Sequence, residues 1–206
     1  MKIFRLPVRM LSILSIGLVS TFSSASPSFD CNGVKESTIE KLICDNEELS
    51  ALDLKLSNTY NEAVKKIDGK KLSSLKAMQR GWVKGRNDCW KSDDQKQCVA
   101  DSYVNRIAEL QAEYELVKPS GPFVYLCPDS TPNRIEVFYF PTDPPTAKAK
   151  RGDQTSFMYA QPTASGARYQ GPNESLWEHQ GEVTVSWGYE AKEIVCKVEA
   201  SGSNLP

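Results

Sequence analysis

Few side chains in this sequence could carry out chemistry. His179 is the single histidine, so a hydrolytic triad would have only one possible imidazole base. Ser165 and Ser175 lie near it, but neither is in the Gly-x-Ser-x-Gly turn that exposes a catalytic serine. Glu178 and Glu182 would be the carboxyl pair of a glycosidase, but two close glutamates in an acidic, strand-rich segment usually face solvent. The residue types therefore predict a binding protein and not an enzyme.

Missing motifs and net charge exclude several kinds of ligand. The sequence has no HExxH motif, no Cys-x-x-Cys pair and no Gly-rich phosphate loop, so we predict neither a metal nor a cofactor. With 40% apolar and 25% charged residues, the chain is neither fibrous nor wholly disordered. Beyond residue 25 it has 22 basic and 26 acidic residues, and this formal charge of −4 disfavours nucleic acid as a partner.

The first 25 residues have the layout of a secretory signal peptide. A basic stretch over 1–9 precedes the apolar run LSILSIGLVSTF, and small residues follow up to Ala25. The run is shorter than the roughly 20 apolar residues of a membrane-spanning helix. The residues before Cys31 lack the small apolar run of a lipoprotein cleavage site, so we expect no stable membrane anchor after cleavage. The mature chain is therefore predicted to be periplasmic or secreted.

The composition changes at residues 118–122, which we predict to be a linker between two domains. Residues 26–117 contain one proline, whereas residues 118–206 contain ten. In the first half, apolar residues recur at helical spacing, which predicts an all-α domain over 26–117. Eight short segments rich in β-branched and aromatic residues follow. They predict a small all-β antiparallel barrel or sandwich over 123–206.

Short motifs predict where the first helices begin and end. Ser37 with Glu40, and Asp45 with Glu48, have the spacing of a capping box at a helix N-terminus. Gly69 follows the second apolar stripe and is predicted to end that helix.

Six cysteines at this length fit a disulfide framework in an oxidising compartment. The four in the helical half allow three pairings, which sequence alone does not decide. Closeness in sequence favours two of the bridges, and the third would join the first and last strands of a barrel. The favoured bridges are Cys31–Cys44, Cys89–Cys98 and Cys127–Cys196.

An ordered set of motifs runs through the helical half. They are FDC at 29–31, EKLIC at 40–44, LSALD at 49–53, QRGW at 79–82, RNDC at 86–89, and then Cys98, Tyr103, Arg106 and Ile107. With this order and spacing, residues 29–116 resemble the LprI-type family of lysozyme inhibitors.

The most distinctive run of the second half is ASGARY at 164–169. Together with Tyr125-x-Cys127, Leu176-Trp177 and Cys196, it makes residues 121–200 resemble the MliC/PliC inhibitors of c-type lysozyme. The resemblance implies a small eight-stranded antiparallel barrel whose partner is a c-type lysozyme. C-type lysozymes are basic and both halves of this chain are mildly acidic, so charge should speed their encounter.

The same resemblance implies an inhibitory loop. The family inserts a loop bearing the serine of an S-G-x-x-Y run between the catalytic carboxylates of lysozyme. Ser165, Gly166 and Tyr169 match that run, with Arg168 inside it. A hydroxyl donating to an ionised carboxylate makes a charge-assisted hydrogen bond.

A second family loop, usually W-x-K-G, adds a lysine. This sequence has WEHQG at 177–181, with Gln180 at the lysine position, His179 before it and Gly181 after it. Gln180 is neutral, and a histidine becomes cationic only in mildly acidic solution. We therefore expect weaker binding at neutral pH than in a lysine-bearing relative.

Plainer interpretations of these residues stay open. The Ser165-Gly166 pair could be an ordinary turn, Arg168 could pair with a barrel carboxylate, and Tyr169 and Trp177 could belong to the core. Trp82, Arg86 and Asp88 resemble a ligand cluster, although we expect them to anchor a helical hairpin. The alternative function is an envelope binding or adaptor module without inhibitory activity, and an enzyme acting on cell-wall glycan comes third.

Overall fold

The computed structural model describes residues 26–128 and 132–199. The signal peptide predicted over 1–25 lies outside these residues. Within them, a helical half precedes a closed barrel of eight antiparallel strands, which confirms the predicted fold class. None of the helices in these two ranges has the length and apolar character needed to cross a membrane.

The helical half encloses one apolar core. A short 3-10 helix, Asp88–Lys91, joins the third α-helix to the fourth. Leu49, Leu75, Ile107 and Leu110 are fully or almost fully buried in this core. The helices are α1 (Ile39–Cys44), α2 (Glu47–Lys65), α3 (Gly69–Asn87) and α4 (Gln95–Glu113).

The predicted helix starts are wrong by one residue. Thr38 and Asn46 are the N-caps of α1 and α2, and each side-chain oxygen accepts a hydrogen bond from the backbone N–H three residues on. Ser37 has a φ of 61°, which is not the extended conformation of an N-cap residue. Gly69 begins α3 and does not end α2, so that prediction is also wrong.

A buried polar cluster centred on Arg86 ties the four helices together. Its guanidinium, 4% exposed, donates to the Tyr103 hydroxyl at 2.7 Å and to the Glu40 carboxylate at 3.0 Å. Tyr103 in turn donates to the Asp53 carboxylate at 2.8 Å, and burial raises the pKa of Tyr103, which keeps the phenol protonated. The Trp82 ring packs against the guanidinium. The cluster thus satisfies a buried charge with partners from α1, α2 and α4.

The second half is a barrel in which every strand pairs with the next and β1 pairs with β8. Side chains alternate between the core and the outside. In β2, for example, Ile135 and Val137 are fully buried. The strands are β1 (Ser120–Leu126), β2 (Arg134–Phe140), β3 (Thr146–Arg151), β4 (Gln154–Gln161), β5 (Ala167–Gln170), β6 (Glu174–His179), β7 (Glu182–Trp187) and β8 (Ile194–Val198).

The three predicted disulfides are all present. Cys31–Cys44 holds the N-terminal segment against α1, and Cys89–Cys98 joins the 3-10 helix to α4. Cys127–Cys196 links the residue after β1 to β8, beside the pairing that closes the barrel. Each bridge contributes roughly 2–4 kcal/mol by restricting the unfolded chain.

Helix α4 lies against the outer face of β3 and β4. The Glu113 carboxylate pairs with the Lys148 ammonium at 3.1 Å, and the Tyr159 hydroxyl donates to the Asn105 carbonyl at 3.2 Å. Burial raises the pKa of Tyr159 to about 12, so its hydroxyl remains a donor at physiological pH. These contacts hold the helical half beside the barrel.

Candidate functional site

The antiparallel order of the strands brings the two predicted loops to the same end of the barrel. The chain leaves β4 at Gln161 and enters β5 at Ala167, and the turn between β6 and β7 lies at that same end. Strand β1 also begins there, so the segment that follows α4 enters the barrel beside these loops. We call residues 162–166 the Ser165 loop.

Gly166 fixes the position of the Ser165 loop. Its φ is 69°, a left-handed conformation that glycine adopts without steric cost. A Cβ atom at this position would meet the Glu178 carbonyl oxygen at 2.1 Å, far inside van der Waals contact. Only glycine therefore allows the loop to lie this close to strand β6.

The Ser165 carbonyl is held from two sides. The Trp177 indole N–H donates to it at 3.1 Å and the Thr163 hydroxyl donates to it at 3.0 Å. The Ser165 side chain is exposed, and its hydroxyl makes no hydrogen bond within residues 26–128 and 132–199. The backbone of the loop is thus fixed while its hydroxyl remains available to a partner.

The turn between β6 and β7 presents Gln180 to solvent. His179 pairs with Glu182, and the two residues between them have positive φ angles, 53° at Gln180 and 81° at Gly181. This is a two-residue type I′ hairpin turn, which matches the twist of the flanking strands. The His179 ring stacks on Trp177 with centroids 5.7 Å apart, so the indole connects this turn to the Ser165 loop.

Arg168 lies on the outer surface beside these loops. It is exposed, it pairs in register with Trp177, and it forms no ion pair with any carboxylate in the described ranges. The structure therefore gives no support to a structural ion pair and leaves this cation facing solvent next to Ser165.

Tyr169 points into the barrel and not toward a partner. It is 8% exposed, and its ring lies 5.3 Å from that of Tyr139. With Phe123, Tyr125 and Glu178, these rings line a pocket of about 210 Å³ below the loops. Burial raises the pKa of Tyr139 and of Tyr169, and the nearby Glu178 adds to both shifts. The pocket thus contains neutral phenols around one carboxylate.

The geometry gives no support to a glycosidase pair. Glu178 pairs in register with the buried Val183 and lines the pocket inside the barrel. Glu182 is exposed and pairs with Lys197 on the outside. The two carboxylates therefore face different environments and do not converge on one cleft.

In the helical half, the predicted cluster of Trp82, Arg86 and Asp88 does not form as a single group. Trp82 and Arg86 anchor the helices as described above, whereas Asp88 is on the surface and pairs with Lys91 at 2.7 Å. Among the described residues, no group of His, Cys, Asp and Glu side chains could hold a metal ion.

Sequence reasoning missed how the site is supported. Trp177 is 40% exposed and not in the core, and the sequence did not indicate that it bonds the Ser165 carbonyl. The role of Thr163 and the inward direction of Glu178 were also missed. Alternate residues of a strand face opposite sides of a barrel, so the sequence could have indicated that Glu178 and Trp177 point in opposite directions.

Comparisons with known proteins agree with both resemblances. Residues 31–110 match the family described as "Lysozyme inhibitor LprI", and residues 125–194 match the family described as "Membrane-bound lysozyme-inhibitor of c-type lysozyme". Over 180 residues, the chain is 31% identical to proteins named Lipoprotein LprI from Mycobacterium bovis and from two strains of Mycobacterium tuberculosis. The similarity spans 86% of this chain and 87% of those relatives.

Proposed function

This chain belongs to the LprI family of lysozyme inhibitors, and from that membership we propose that it inhibits a c-type lysozyme by inserting the Ser165 loop into the active-site cleft. The family places it in the bacterial envelope or outside the cell, and we propose the periplasm as its compartment. The bound lysozyme would be blocked by occlusion, with no chemical step.

The observation that carries this proposal is the fixed Ser165 loop with its free hydroxyl. Two donors hold the Ser165 carbonyl, and Gly166 holds the loop against Glu178. Little loop entropy would be lost on binding, because the loop is already ordered in the free protein. C-type lysozymes act through two carboxyl groups that flank the scissile bond. The Ser165 hydroxyl would donate to the ionised member of that pair.

The surroundings of the loop suit a basic partner with an acidic cleft. Arg168 supplies a solvent-facing cation beside Ser165, where it can approach the catalytic carboxylates. Glu178 supplies a negative charge in the pocket below, which favours approach of the basic lysozyme surface around the cleft. Charge complementarity of this kind mainly accelerates association.

Ser165→Ala tests the hydroxyl directly. The change removes one charge-assisted hydrogen bond, which is worth about 1.5–3 kcal/mol, so we expect inhibition to weaken roughly 10- to 100-fold. The measurement is lysis of cell-wall substrate by a c-type lysozyme, titrated with the mature chain carrying its three bridges. Ser74→Ala is the matched control, since Ser74 is also exposed but lies on α3. Equal inhibition by wild type and Ser165→Ala would refute the assigned role of the hydroxyl.

Gln180→Lys tests the second loop. We expect it to bind lysozyme about tenfold more tightly at neutral pH, because it adds a cation that faces the catalytic carboxylates. Asn173→Lys adds the same charge at the opposite end of the barrel and should leave the affinity unchanged. Calorimetric titration of both variants gives the comparison. A Gln180→Lys protein that binds no more tightly than wild type would show that this turn does not reach the cleft.

A further inference from the structure

Helix α3 differs from the rest of the chain in its charge. Its 19 residues include six basic residues and no acidic one. Arg86 is buried, and the other five are exposed and form no ion pair in the described part of the chain. These five residues, which we call the basic face, are Lys70, Lys71, Lys76, Arg80 and Lys84. The mature chain is acidic overall, so this positive charge is local.

The stability of the helix accounts for only part of the basic face, since Lys84 in the last turn suits the helix dipole but the first-turn cations do not. Lys70 and Lys71 lie in the first turn, where positive charge opposes the helix dipole. Gly81 and Gly85 lie in the last two turns, and glycine is among the weakest helix formers. Residues that destabilise the helix containing them, and that make no contact to compensate, are expected at functional sites. The composition of α3 therefore points to a partner outside the chain.

The basic face is longer than a small ligand. From Lys70 to Lys84 the cations extend over about 21 Å of helix. A Cβ atom added at Gly81 or Gly85 would meet no atom within 4 Å, so this end of the face is open, whereas Lys70 and Lys71 at the other end line a groove with Glu113. A broad, low surface with separated cations complements an extended anionic surface.

Apolar side chains border the basic face. Met78 and Val83 on α3 are 48% and 36% exposed, and Trp90 just after it is 61% exposed. The Lys91 ammonium lies 5.5 Å from the centre of the Trp90 ring. Tryptophan beside basic residues is typical of the membrane–water interface, where apolar side chains enter the headgroup region. A soluble polyanion has no apolar region that these side chains could enter.

We propose that the basic face of α3 docks the protein reversibly on an anionic phospholipid surface. This surface is independent of the Ser165 loop, and it would repel a basic lysozyme.

Flotation with lipid vesicles tests the proposal. Mature wild-type protein is mixed with vesicles of phosphatidylcholine containing one quarter phosphatidylglycerol, and with vesicles of phosphatidylcholine alone. We expect binding only to the anionic vesicles, weakening as salt is raised. The triple variant Lys76→Gln, Arg80→Gln, Lys84→Gln should bind about 100-fold more weakly. Glutamine keeps the helix propensity, so circular dichroism should show an unchanged helical content.

The matched control removes three positive charges from residues outside α3. Lys55, Lys150 and Lys192 are exposed and unpaired within the described ranges, and changing all three to glutamine should alter binding less than twofold. Equal binding to the two vesicle types, no binding at low salt, or an equal loss in both triple variants would overturn the proposal. Binding to soluble polyphosphate without binding to vesicles would assign the face to a soluble polyanion and would also overturn it.

Discussion

Replacing Gly166 by alanine is expected to weaken inhibition of a c-type lysozyme about 100-fold, or roughly 2.8 kcal/mol of binding free energy. The new Cβ would lie 2.1 Å from the Glu178 carbonyl oxygen, and the backbone fixes the positions of both atoms, so neither can rotate away. The Ser165 loop must then move off strand β6, which breaks the hydrogen bond from Trp177 and misplaces the Ser165 hydroxyl. Lysis assays with titrated inhibitor measure the change.

Gly188→Ala is the control for backbone strain alone. Gly188 also has a positive φ, 105°, but a Cβ there would meet no atom within 4 Å, and the residue follows β7 at the opposite end of the barrel. It should lower stability and leave inhibition by the folded protein nearly unchanged. If Gly166→Ala still inhibits like wild type while folded, the fixed loop is not the inhibitory element.

Arg86→Met is expected to lower the free energy of unfolding of the helical half by about 3 kcal/mol. The substitution keeps an unbranched but shorter side chain and removes the charge that bonds Tyr103 and Glu40. Asp53 then remains buried, 7% exposed, and the Tyr103 hydroxyl that donates to it loses the hydrogen bond that it accepted from Arg86. Urea unfolding followed by circular dichroism at a helical wavelength measures the loss.

Arg80→Met provides the comparison on the same helix. Arg80 is exposed and has no ion pair in the described part of the chain, so its replacement should change stability by no more than about 0.5 kcal/mol. Equal unfolding curves for Arg86→Met and Arg80→Met would contradict the view that the Arg86 cluster holds the helices together.

Much of the barrel could be predicted from the sequence. Alternation of apolar and polar residues has a period of two, and turn residues separate the strands, so the eight predicted segments correspond to the eight strands observed. The short-range bridges Cys31–Cys44 and Cys89–Cys98 followed from closeness along the chain. Local patterns suffice where the interacting residues are near in sequence.

Side-chain contacts between strands could not be predicted in the same way. The Trp177 bond to the Ser165 carbonyl depends on the register that sets Arg168 opposite Trp177. The pocket under the loops needs Tyr125, Tyr139 and Glu178 from three strands to face one interior. A pattern shows which side of a strand is apolar, but it does not give the register between strands.

The predicted start of α1 failed because of a contact between residues that are distant in sequence. The capping-box spacing is satisfied at Ser37, but the backbone there is left-handed and Thr38 takes over the cap. Glu40, which would complete the box, turns instead to Arg86. A long-range ion pair with a buried cation thus replaced a local capping interaction.

Titration of a c-type lysozyme with the mature wild-type chain is the decisive test of inhibition through the Ser165 loop. We expect complete inhibition of cell-wall lysis at one inhibitor per enzyme, and relief of that inhibition by a chitooligosaccharide that occupies the cleft. Undiminished lysis at a tenfold excess of correctly bridged protein, at both neutral and mildly acidic pH, would contradict it. That result would leave the chain as an envelope binding module without inhibitory activity.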